Sequence, residues 1–187
     1  VEIKSLISKI KESPNISVVA KRVKRSEGIF FQTLYQAHKL VTLLFTGKNI
    51  NFGNYSLLTK NDVEKLHSKA SLWSSFSGTV KKYIKTFNEI NSVRGLRYFG
   101  PSKMSIFKLI IHSLSIIAVF KYQVFLRSTL IIIALAYLNS YLGNLSIILQ
   151  ILIVIFNLII FVISKREQQK DLINSHNNLE KTENITH

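Results

Sequence analysis

From Ser128 to Ser164 the chain runs for 37 residues without a charged side chain. No other feature limits its fold so strongly. A single helix through that run would be roughly 55 Å long, against a bilayer hydrocarbon core of about 30 Å. The Leu142-Gly143-Asn144 tripeptide offers a break. Two segments result, residues 124–142 and 145–164, each close to the about 20 residues that a crossing helix needs. The expectation is therefore a two-helix membrane hairpin. A helical hairpin buried in a soluble core is the rival, and the uninterrupted apolar length argues against it. Arg127, near the start of the first segment, is expected to snorkel to the interface.

Charge then orients the hairpin. The 187 residues carry 25 Lys+Arg and 10 Asp+Glu, a net +15, and 47% of them are hydrophobic. Up to Arg127 there are 21 basic and 6 acidic residues, Lys165 and Arg166 follow the apolar run at once, and the linking turn has no cation. Positive residues favour the cytoplasmic side, so both termini are expected there. Residues 165–187 form a polar tail expected to be loosely ordered, and its Asn-Ile-Thr sequon has no meaning on that side of the membrane. The hairpin, with no nucleic-acid-binding motif, sets nucleic acid aside as a partner despite the charge. Cysteine is absent and the five histidines are scattered, so no metal site is expected from them. The first residues show no apolar signal-peptide core.

Before the hairpin, residues 103–121 place Ser105, Lys108, His112 and Ser115 on one stripe of an otherwise apolar helix. Too few residues separate Lys108 from Lys121 to cross a bilayer, so this segment is expected to lie in the interface with its lysines at headgroup level. His112 on that stripe is expected to be solvated or hydrogen-bonded, not catalytic.

Residues 1–102 alternate helix and strand patterns. An amphipathic helix through Ile3, Leu6, Ile7 and Ile10 ends at the Pro14-Asn15 turn. The run Ile16-Ser17-Val18-Val19-Ala20 predicts a buried strand with Lys21, Arg22, Lys24 and Arg25 at its carboxyl end, the edge at which open α/β sheets bind ligands. Those cations suit a phosphate-bearing ligand or a solvated basic loop, and the pattern leaves both open. A long helix over residues 26–46 follows, its aromatics assigned to packing, with Gly47 just beyond it. Residues 50–66 predict strand, turn, strand and a short helix capped by Asn61. Gly53 marks a place where backbone could approach a ligand, and Asp62 and Glu64 sit in a helix's first turn, which favours acids without any metal. A last strand near residue 93 feeds Arg94-Gly-Leu-Arg-Tyr-Phe-Gly-Pro-Ser-Lys103.

The order of these parts resembles the family 2 glycosyltransferases of the polyprenyl-phosphate type, the dolichyl-phosphate mannose synthases and undecaprenyl-phosphate glucosyltransferase-like enzymes. The likeness covers roughly residues 1–165. It rests on the stretch from Arg97 to Lys103 placed just before an amphipathic helix, on Gly53-Asn54-Tyr55-Ser56-Leu57-Leu58, and least specifically on the hairpin. It implies an α/β fold with transmembrane helices: the C-terminal part of a GT-A, Rossmann-like catalytic domain (1–102), an interfacial helix (103–121) and the hairpin. It further implies transfer of a sugar from a nucleotide-sugar donor to a polyprenyl-phosphate acceptor at the cytoplasmic face of a membrane, here expected to be a bacterial inner membrane, in cell-envelope glycan synthesis.

By the same resemblance Arg97, Ser102 and Lys103 lie on the loop that binds the acceptor phosphate, with Gly100 at its turn. Arg22 and Arg25 approach the phosphates, and Gly53 and Asn54 lie where backbone comes close to the ligand. Two departures qualify it. Asn54 stands where many relatives carry an acid, so no general base is assigned. The family's Mg or Mn is held by a D-x-D motif in a donor-binding half that these residues do not include. With Val1 as first residue, the chain is thus expected to be a C-terminal portion that does not catalyse transfer alone. A homo-oligomer fits this organisation. The alternative function is a non-enzymatic membrane module that binds anionic lipid or scaffolds a partner.

Overall fold

The protein is described by a computed structural model over residues 2–25, 29–94 and 105–175. Its head holds three strands, β1 (Val18–Arg25), β2 (Phe52–Leu57) and β3 (Asn88–Arg94), in the order β2-β1-β3. β1 is central, antiparallel to β2 and parallel to β3. The chain is mixed α/β. Helix α1 (Glu2–Glu12) precedes the sheet and α2 (Ile29–Thr46) links β1 to β2. Helices α3 (Lys60–Leu66), α4 (Ser71–Ser74) and α5 (Phe76–Tyr83) link β2 to β3. Val19, Phe52, Leu66, Val80 and Ile84 form the head's core, where Phe52 and Phe87 meet edge to face at 5.3 Å.

Two details of the head differ from expectation. The Gly53-Asn54 pair does not turn the chain. β2 runs through it as one strand, with Val19 opposite Ser56 and Lys21 opposite Phe52. Two steps along β1 therefore match four along β2, and the surplus bulges at Gly53–Tyr55. Glycine inside a strand marks such a bulge as readily as a turn. The cap of α3 is Thr59, not Asn61: the Thr59 hydroxyl accepts from the Asp62 amide at 3.3 Å. Asp62 is buried, accepting from the Ser17 hydroxyl at 2.6 Å and pairing with Lys65 at 3.0 Å, so it fastens α3 to the start of β1.

Beyond the head lie α6 (Ile106–Ala118), α7 (Lys121–Tyr137), α8 (Asn139–Leu142), α9 (Asn144–Ser164) and α10 (Gln169–Ile173). Chain reversal occurs at Gly143, whose φ of 53° and ψ of −135° suit glycine alone. α7 and α9 pack side by side, fixed near their turn by the Ser146 hydroxyl donating to the Leu135 carbonyl at 2.6 Å. Among the described residues one helix, beginning at Asn144, is by itself long and apolar enough to cross a membrane. α6 and α7 meet that test only as a pair, bent by 88° at their junction. The amphipathic helix is thus shorter than residues 103–121, since Lys121 already opens α7, and the expected segment 124–142 is divided between α7 and α8. The tail is helical over α10 and returns to the head, where the Gln169 amide donates to the Ser68 carbonyl at 3.2 Å.

Candidate functional site

A pocket of about 380 Å³ opens between the bulged strand β2 and helix α6. Arg22, Phe52, Gly53, Asn54, Tyr55, Ser77, His112 and Ile116 line it. The polar groups arrive from four elements. Arg22 comes from the carboxyl half of β1, with its amide held by the Asn51 carbonyl at 2.9 Å. Gly53, Asn54 and Tyr55 come from the bulge, Ser77 from the first turn of α5, and His112 from the polar stripe of α6.

Gly53 leaves the room that the Arg22 side chain occupies. A Cβ on it would overlap the Arg22 guanidinium, which lies across the glycine. Any side chain at 53 would push the guanidinium away from the position it now holds at the pocket. The bulge removes a stretch of regular ladder, and glycine at that point gives the arginine a flat seat.

The polar stripe of α6 divides its work. Ser105 caps the helix, accepting from the Lys108 amide at 3.3 Å. Ser115 is buried, and its carbonyl accepts from the Ser74 hydroxyl at 3.2 Å. The stripe therefore turns toward the head, while Phe107 and Ile110 on the same helix remain exposed.

The pocket can hold an anion. An arginine with amide, hydroxyl and imidazole donors gives charge-assisted bonds of the kind that bind phosphate or carboxylate. Its lining has no carboxylate, so it does not fit a divalent cation. Among the described residues no cluster of three or more His, Asp or Glu side chains could hold one.

The expected site residues fall into three groups. Arg22, Gly53 and Asn54 are brought together. Arg25 ends β1, its backbone paired with Arg94. Arg97, Gly100, Ser102 and Lys103 lie outside the described residues. Tyr55 and Ser77 were missed. Tyr55 adjoins the Gly-Asn pair, which offered a hint, whereas nothing in the sequence near Ser77 marks it. Comparison with family models, with curated proteins and with solved structures returns no match.

Proposed function

We propose that this chain is the acceptor-binding and membrane-embedded part of a glycosyltransferase that passes a sugar from a nucleotide sugar to a polyprenyl phosphate at the cytoplasmic membrane face. The observation that carries it is Arg22, seated on Gly53 in a pocket whose opposite wall is α6. That helix leads through a right-angle elbow into the apolar helices. An anion at the end of a lipid would find its counter-charge beside the point where its chain enters the bilayer. Arg97, Ser102 and Lys103, which the family resemblance assigns to the acceptor loop, come just ahead of α6 in the chain. The metal and the donor's diphosphate belong to groups not found in this pocket.

One observation favours a second reading. The pocket offers donors and a cation but no carboxylate to serve as a base, so binding of anionic lipid without chemistry is the competing function. Nanodiscs separate the two. Arg22→Ala should weaken binding of undecaprenyl phosphate about ten- to a hundredfold, since a hydrogen bond to a charged group contributes roughly 1.5–3 kcal/mol. Binding of phosphatidylglycerol should be unchanged. Gly53→Ala should act in the same direction, and should add nothing in the Arg22→Ala background. Equal affinity of the wild-type chain for both lipids would favour the lipid-binding module. In an enzyme carrying the donor half, Arg97→Ala should sharply reduce transfer and leave donor binding intact.

A further inference from the structure

Helix α2 is built inside out for a helix in water. Thr42 and Thr46 are each 2% exposed, whereas Leu40, Leu43 and Leu44 are 67%, 50% and 51% exposed. The buried threonines are satisfied within the helix, the Thr46 hydroxyl donating to the Thr42 carbonyl at 2.6 Å. A helix on a soluble domain does the reverse, hiding leucine and showing threonine.

Where α2 ends explains the inversion. Phe45 stacks on Phe156 of α9 with ring centroids 4.5 Å apart and joins the cluster of Ile117, Val124 and Ile160. Phe156 lies eight residues before Ser164, about 12 Å along the helix from its head-side end. The Arg127 guanidinium reaches the same level, donating to the Leu44 carbonyl at 3.4 Å. If α9 crosses a bilayer, the last turns of α2 are below the headgroups, and its outward leucines meet acyl chains. The exposed Phe107 and Ile110 of α6, which also contacts α2, continue that apolar surface.

We propose that α2 is a membrane-inserted helix whose Leu40, Leu43 and Leu44 face lipid acyl chains at the headgroup boundary, a placement that rests on the membrane reading of α9. It makes the head a partly embedded domain and sets the pocket beside Arg22 at headgroup height. The depth is of the order of 5–10 Å known for interfacial helices.

The chain has one tryptophan, Trp73, so single-tryptophan reporters are simple to make in a Trp73→Phe background. The full chain is reconstituted in vesicles of phosphatidylcholine and phosphatidylglycerol with acyl-chain bromines. Leu43→Trp should show blue-shifted emission, a loss of intensity with brominated lipid approaching that of a Val154→Trp control on α9, and little loss with aqueous iodide. Leu40→Trp reads the same face should the first variant not fold. Quenching by iodide but not by bromine would put α2 in water and overturn the proposal. Shielding from both would show the face covered by a second copy, which overturns it as well. An unquenched Val154→Trp would instead remove the membrane reading on which the placement depends.

Discussion

At the scale of single residues, the polar contacts that matter join positions far apart in the chain. Asp62 is the clearest case. Burial pushes its carboxyl toward the neutral form, but hydrogen bonds from Ser17, Lys65 and Thr59 and the Lys65 charge outweigh that and hold its pKa below the ordinary carboxylate value. A carboxylate with a lowered pKa adds stability that is complete above its unfolded pKa and is lost as pH falls through the folded one. Asp62→Asn should therefore destabilise the head at neutral pH by about 1–3 kcal/mol, the usual range for a buried charged hydrogen bond. Below about pH 4 the difference from wild type should shrink. Thermal unfolding in detergent, followed by Trp73 fluorescence across that pH range, measures both. A constant difference at all pH values would mean that the contact acts through shape alone. The sequence showed an acid in a helix's first turn and missed its partner. Thr59 and Asn61 are both good caps by type, and only the fold brings Ser17, 45 residues away, to decide the phase. Arg22 and Gly53 were legible, one as a cation at a strand's end, the other as a glycine where a ligand could come close to backbone, although the turn expected there is a bulge within β2. That one sits on the other was not, because it depends on the register of β1 with β2.

At the scale of elements, the helix periods and the end of α2 were legible, and its orientation was not. A helical period says which residues share a face and is silent on what that face meets. The aromatics of α2 were assigned to packing with no partner named, and Phe45 packs on Phe156 of α9. Arg127, expected to snorkel, supplies a donor to the last turn of α2, where a cation also suits the helix dipole. It shares this corner with Gly47, whose φ is 69°. A Cβ on Gly47 would come within 2.5 Å of an Arg127 nitrogen. Two effects thus oppose Gly47→Ala, and their sizes differ. The left-handed backbone costs a non-glycine residue about 1–2 kcal/mol. The arginine is exposed and can swing aside at little cost. Gly47→Ala should accordingly lose about 1–2 kcal/mol in denaturation of the detergent-solubilised chain, with nearly all of that loss retained in an Arg127→Ala background. A coupling energy above about 0.5 kcal/mol would show that the guanidinium contact, not the backbone, governs the corner.

At the scale of the whole molecule, the length of the charge-free run set the broad division into head and apolar helices, because bilayer thickness is a fixed ruler. The return of the tail to the head had no such ruler, since polar residues after Ser164 carry no period. Yet that return bears most directly on topology. Lys121, opening α7, lies 3.7 Å from Glu167, just past α9. The Lys82 ammonium of α5 donates to the Val119 carbonyl at the elbow at 2.7 Å. Gln169 bonds to Ser68 of the head. Head, start of α7 and end of α9 thus form one corner, closed around the buried side chain of Phe120. A single crossing by α9 would carry the tail to the far side and break every contact between it and the head. Two crossings leave the corner intact, with only the turn near Gly143 on the other face. The chain lacks cysteine, so exposed positions can be mapped one at a time with a membrane-impermeant maleimide on sealed vesicles of known orientation. Lys60→Cys in the head and Lys170→Cys in the tail should be modified from the same side, and Tyr141→Cys at the turn only from the opposite side. Labelling of Lys170→Cys together with Tyr141→Cys, and apart from Lys60→Cys, would make α9 the sole crossing and require the Lys121–Glu167 corner to come apart in the membrane.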